Sequence, residues 1–80
     1  MDLDLRGEEC PVPTIKTMES LKQLDSKNEI VTVVVDDATC AEDIPYQAAR
    51  LGYIAEMLVT GSSEWTIRLI FGHQTNNQVD

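Results

Sequence analysis

Residues 30–35 read Ile-Val-Thr-Val-Val-Val. A β-branched run of this kind packs well on a pleated surface and favours a strand over a helix. Its nearly unbroken apolar character places it in the middle of a sheet, flanked on both sides. Asp36-Asp37 closes the run. The question that decides the fold is therefore which neighbouring segments flank and cover this strand.

Upstream, Asp25-Ser26-Lys27-Asn28 is a turn cluster. Before it, Val12, Ile15, Met18, Leu21 and Leu24 recur every third residue, with Lys16, Glu19, Lys22 and Gln23 between them. The pattern predicts an amphipathic helix over Pro11–Leu24. Pro11 and Pro13 suit its first turn, where a missing N–H removes no intrahelical bond. Further upstream, Leu3 and Leu5 alternate with Asp2, Asp4 and Arg6, which predicts a short half-buried strand. Gly7 ends that strand, and Glu8-Glu9-Cys10 form a loop.

Downstream, a second helix is expected. Thr39 and Glu42 fit a capping box, and Asp43 is an alternative cap before Ile44. Pro45 is expected in the first turn. Ala41, Ile44, Ala48 and Leu51 share one face, and Gly52 is a suitable stop. Tyr53–Thr60 and Trp65–Phe71 read as two strands around Gly61-Ser62-Ser63, an antiparallel hairpin. Trp65, Ile67, Leu69 and Phe71 share one face of the second. The residues after Gly72 carry no apolar pattern, so residues 1–72 form the expected single domain and residues 73–80 a flexible tail.

The element order is βαβαββ. Two helices of similar length cover one face of four strands, which gives a two-layer α/β sandwich with a four-stranded mixed sheet. The first two strands should run parallel through a right-handed crossover.

Eighty residues bound the function as well. They make one small domain and exclude barrels and full dinucleotide-binding folds. With 14 acidic and 6 basic side chains the net charge is −8. That argues against direct nucleic-acid binding, which needs cations against phosphates, and against docking on anionic membranes. No apolar run approaches a membrane span, so no membrane insertion is expected. The first residues, MDLDLRGEEC, lack the regions of a signal peptide, so the expected location is cytoplasmic. Two cysteines are too few for the disulfide framework of a secreted mini-protein.

The chemical inventory is short. His73 is the only histidine and falls in the expected tail. No zinc-ligand spacing and no phosphate loop occur. Asp36, Asp37 and Asp43 are read either as metal ligands or as turn formers and helix caps. Cys10 stands between a strand end and a helix start, where free N–H groups and the helix dipole favour a thiolate. Lys16 adds positive charge one turn on, and Glu8 and Glu9 oppose it. Two readings of Cys10 stand: a reactive thiol in a surface loop, and a small buried hydrophobe. Cys40 follows the second strand. Parallel neighbouring strands would bring their C-terminal ends, and hence Cys10 and Cys40, to one edge of the sheet. Cys40 is then a resolving thiol or disulfide partner, or an ordinary helix-start residue.

Leu5-Arg6-Gly7-Glu8-Glu9-Cys10-Pro11-Val12-Pro13 resembles the signature of the TusA/SirA family of sulfur carriers, a Cys-Pro-x-Pro motif opening the first helix after a short strand and a glycine. Asp36-Asp37-Ala38-Thr39-Cys40-Ala41-Glu42-Asp43-Ile44-Pro45 resembles the family's Asp-rich loop leading into Asp-Ile-Pro. The resemblance covers residues 3–71. It implies the same βαβαββ sandwich, with Cys10 as the persulfide-bearing residue. Gly7, Pro11 and Pro13 then act as motif residues shaping the loop, with Lys16, Asp37 and Asp43 around it. Cys40 lies outside the core motif.

The resemblance also implies partners: a cysteine desulfurase or rhodanese-type sulfur donor, and a sulfur-acceptor protein. The family's routes lead to tRNA thiolation, molybdenum-cofactor synthesis or sulfur metabolism. No metal or organic cofactor is required, and a monomer is expected. Two other classes remain open on the residues alone: a thiol redox protein using Cys10 and Cys40, and a non-catalytic regulatory interaction module.

Overall fold

A computed structural model describes residues 1–26 and 28–72. The expected tail at 73–80, with His73, lies outside the described residues. The elements are β1 (Asp2–Asp4), α1 (Val12–Gln23), β2 (Val31–Val35), α2 (Ala38–Arg50), β3 (Tyr53–Gly61) and β4 (Glu64–Phe71). The sheet order is β1-β2-β4-β3. β1 runs parallel to β2, with Leu3 opposite Val33. β4 is antiparallel to both β2 and β3, with Val33 opposite Ile67 and Ala55 opposite Leu69. The architecture is the two-layer α/β sandwich, βαβαββ, that the element order implies.

Five of the six residues of the Ile30–Val35 run form β2, the second strand of the sheet, hydrogen-bonded on both edges. Its burial alternates even though its sequence does not. Val31, Val33 and Val35 are fully buried, whereas Thr32 and Val34 are half-buried. The cause is the one-sided helical layer: only residues facing α1 and α2 lose all their water. Leu21 of α1, Ile44 and Ala48 of α2, and Ile67 and Leu69 of β4 complete the core on that side. The other face carries polar pairs such as Arg68–Glu56, at 3.1 Å.

Helix α1 presents a different face from the one expected. Its buried residues are Pro13, Thr14, Thr17 and Leu21, with Met18 half-buried; Val12 and Ile15 are 41% and 50% exposed. A strict three-residue period falls short of a full turn by about 60° at each step, since a helix turns every 3.6 residues. Over Val12–Leu24 such a stripe winds most of the way around the cylinder. The core therefore takes only its later members and fills the rest of the face with two threonines.

Helix α2 also starts differently. Asp37, not Thr39 or Asp43, is the N-cap: its Oδ1 accepts the N–H groups of Thr39 (2.9 Å) and Cys40 (3.2 Å). With the start this early, Pro45 falls inside the helix rather than in its first turn. Pro45 removes one N–H from the ladder. The buried face formed by Cys40, Ala41, Ile44 and Ala48 holds the helix through that point. At its C-terminal end the chain turns through Gly52, at φ +92°, as expected of a glycine stop.

Candidate functional site

Parallel pairing of β1 and β2 sends both chains out at one edge of the sheet, and both then enter helices. The β1–α1 loop carries Cys10, and the first turn of α2 carries Cys40. Their Cα atoms are 5.3 Å apart and their sulfurs are joined in a disulfide. That Cα separation is ordinary for a bridged pair. Cys40 is fully buried, and Cys10 is half-buried at the surface of the loop.

Two adjacent aspartates hold the loop in place. Both carboxylate oxygens of Asp36 accept the Gly7 N–H, at 2.9 and 3.0 Å. Gly7 has φ +85°, a conformation that favours glycine. Asp37 gives one oxygen to the cap of α2 and the other to the Cys10 N–H, at 3.4 Å. A single carboxylate thus ties the backbone of one cysteine to that of the other.

Thr14 supplies the polar contact at the sulfurs. Its hydroxyl donates to Cys40 Sγ at 3.1 Å and lies 3.9 Å from Cys10 Sγ. It is nearly buried, so water competes weakly for that hydroxyl. Cys10 does not cap α1: the helix begins after Pro11 with no side-chain cap, and the Cys10–Pro11 peptide is cis. The Val12 N–H, a donor that a cysteine cap would have used, bonds the Glu9 carbonyl at 2.9 Å. Lys16 and Glu8, which act in opposite senses on a thiol, pair with each other at 3.0 Å.

The aspartates weighed as metal ligands do not converge. Asp36 and Asp37 are engaged by backbone N–H groups. Among the described residues, no hydrogen bond or ion pair joins Asp43 to the Cys10 loop, and it lies in the body of α2. A different trio does gather: ligand-type atoms of Cys10, Asp37 and Cys40 lie within 4.8 Å of one another. With the sulfurs bonded to each other, neither offers the thiolate that a metal takes.

Residues 1–70 match the family model described as sulfurtransferase TusA. The chain belongs to the TusA family. This TusA-family chain is 39% identical over 66 residues to a Thermotoga maritima protein named "Putative sulfur carrier protein", covering 81% of this chain and 82% of that one. An Archaeoglobus fulgidus protein of the same name is 33% identical over 66 residues, covering 81% and 74%. Among solved structures, the SirA-like protein of Desulfitobacterium hafniense superposes with a TM-score of 0.79 at 27% identity, covering 89% of this chain and 96% of that one. Among the described residues, no helix is long and apolar enough to cross a membrane.

Of the residues singled out in the sequence, the β1–α1 loop and the start of α2 bring together Gly7, Cys10, Pro11, Asp37 and Cys40. Pro13 is buried in the first turn of α1, and Lys16 is exposed beside Glu8. Thr14 was not singled out, and Asp36 reads in the sequence as a metal ligand or turn former rather than as the anchor of the Cys10 loop. Thr14 carried one usable signal, its position one helical turn after Cys10. Asp36 carried none that separates it from an ordinary turn former.

Proposed function

We propose that this chain is a sulfur carrier that accepts a sulfane sulfur on Cys10 and passes it to an acceptor protein. The observation that carries the reading is Cys10 itself. It is a partly exposed thiol position in a loop held by Asp36 and Asp37, in a chain of the TusA family. The relatives named as sulfur carriers support the same assignment.

The cycle starts from the reduced pair, since the disulfide holds no nucleophile. The Cys10 thiolate attacks the outer sulfur of a donor persulfide. The bond from that sulfur to the donor breaks, and the donor leaves as its thiolate. Cys10 then bears –S–SH. A nucleophile on the acceptor takes the outer sulfur and returns the Cys10 thiolate. Val12 and Ile15, exposed at the start of α1 beside Cys10, offer apolar surface to a partner's active site. The donor is of the cysteine desulfurase or rhodanese type. A net charge of −8 favours basic docking faces on both partners, so loading rates fall as salt rises. Direct nucleic-acid contact and membrane insertion play no part, and the setting is cytoplasmic.

The test uses single-thiol chains. A Cys40→Ser chain, reduced and incubated with cysteine and a cysteine desulfurase, gains one sulfur by intact mass, and cyanide removes it as thiocyanate. Cys10→Ser gains none. Equal loading of Cys10→Ser overturns the assignment. The disulfide favours one second reading, a dithiol oxidoreductase. That reading requires Cys10 and Cys40 to reduce a disulfide substrate catalytically, with no uptake of sulfur.

A further inference from the structure

We propose that Cys40 is a resolving thiol that discharges a Cys10 persulfide as hydrogen sulfide, so that the chain reduces sulfane sulfur when no acceptor takes it. The inference rests on the carrier reading of Cys10 and adds a second activity to it.

Three observations carry it. The backbone holds the two cysteines at 5.3 Å between Cα atoms, so their sulfurs bond directly. Cys40 is fully buried whereas Cys10 is partly exposed. A protein donor or acceptor therefore reaches Cys10 and not Cys40, and an added outer sulfur finds space towards solvent on Cys10 only. Thr14 Oγ1 donates to Cys40 Sγ at 3.1 Å, which stabilises charge on the attacking sulfur and aims it. The Asp37 carboxylate, within 4.8 Å of both sulfurs, disfavours a second negative charge there. The thiol proton must therefore leave Cys40 as the attack proceeds.

The inner sulfur is the atom attacked, because Cys10 Sγ is the atom Cys40 Sγ meets. The Cys40 Sγ–Cys10 Sγ bond forms, and the bond from Cys10 Sγ to the outer sulfur breaks. The outer sulfur keeps that electron pair, takes the proton lost by Cys40 and leaves as hydrogen sulfide. It is reduced by two electrons, and the two cysteines are oxidised by two. The product is the disulfide seen in the structure. A dithiol reductant resets the pair and becomes a disulfide itself. An acceptor must then collect the sulfur before Cys40 does, which makes Cys40 a clock on the loaded state.

The experiment loads the reduced chain anaerobically with inorganic polysulfide. Excess reagent is removed by gel filtration, and released sulfide and intact mass are followed over time. The wild-type chain is expected to release about one sulfide per chain and to end as the intramolecular disulfide. Cys40→Ser and Cys40→Ala are expected to keep the extra sulfur on Cys10 and release none. Two variants are used because Cys40 is buried and either could fold poorly. If the wild-type chain keeps its persulfide as long as the variants do, with Cys40 still open to alkylation after denaturation, the resolving role is overturned and the carrier reading stands. A wild-type disulfide that a dithiol reductant cannot open in the native chain also overturns it. If no chain takes up sulfur on Cys10, both readings fall together.

Discussion

The Asp37 carboxylate accepts the Cys10 N–H at 3.4 Å through the oxygen that its capping of α2 leaves over. The site loop and the start of α2 therefore share one anchor. Asp37→Ala removes the cap, an effect of about 1 kcal/mol in comparable helices, and also frees Cys10. Asp37→Asn keeps a good capping side chain. Urea denaturation should show Asp37→Ala with a lower midpoint and Asp37→Asn close to wild type. Sulfur loading of Cys10 should fall in Asp37→Ala and also in Asp37→Asn, whose capping oxygen leaves only an amide NH2, a donor, opposite the Cys10 N–H. Equal stability of Asp37→Ala and wild type would show that the cap contributes nothing.

The two glycines with positive φ separate backbone strain from packing. Gly7 (φ +85°) has open space where a Cβ would lie, so Gly7→Ala pays only for the left-handed conformation, about 1–2 kcal/mol. At Gly52 (φ +92°) a Cβ would stand 2.8 Å from Phe71 Cε1. That ring also packs edge-on against Tyr53, with centroids 5.3 Å apart, so it cannot yield freely. Gly52→Ala should thus cost about 1–3 kcal/mol more than Gly7→Ala through overpacking. Thermal melts of the two variants side by side measure the difference, and equal losses would contradict the clash.

How far the chain reads without its structure follows from what local pattern encodes. The βαβαββ order was legible because each element carries its own periodicity and its own stops, such as Gly7, Asp36-Asp37 and Gly52. The orientation of α1 was not. A three-residue spacing of apolar side chains fits several faces, and packing against the core selects the one bearing Thr14, Thr17 and Leu21. Cys10 stood out because a thiol between a strand and a proline-marked helix is chemically conspicuous. Cys40 stayed ambiguous because only the parallel register of β1 against β2 places it under Cys10. The start of α2 was read too late because several residues there could cap, and only the fold shows Asp37 facing the first turn.

Acid should act on the Asp4–Arg6 pair. Arg6 donates to both Asp4 oxygens, at 2.8 and 2.7 Å, and holds the carboxyl down at about 2 from an ordinary 3.8. A group depressed in the folded chain contributes stability that is complete above its unfolded value and is lost as pH falls through its folded value. The window is therefore about pH 4 down to about pH 2. Both side chains are exposed, so salt screens the pair and the effect is modest. Asp4→Asn should flatten the stability profile in that window, its modest loss of stability being present at neutral pH and vanishing below about pH 2. An identical acid limb in Asp4→Asn and wild type would remove Asp4 from the account.

Thr14 offers the most direct probe of the chemistry between the two sulfurs. Its hydroxyl donates to Cys40 Sγ at 3.1 Å, and a hydrogen bond to a charged partner is worth roughly 1.5–3 kcal/mol. If charge gathers on Cys40 as it attacks the Cys10 persulfide, Thr14→Val should slow sulfide release by about tenfold or more. Thr14→Ser keeps the hydroxyl and should restore most of the rate. Loading of Cys10 is a separate event at the half-buried sulfur, 3.9 Å from the hydroxyl, and should change little in Thr14→Val. Rapid mixing of polysulfide with reduced chains, read by sulfide release and by the mass of quenched samples, separates the two steps. A purely structural role for Thr14 would lower both steps together, and serine would then have no particular advantage over valine.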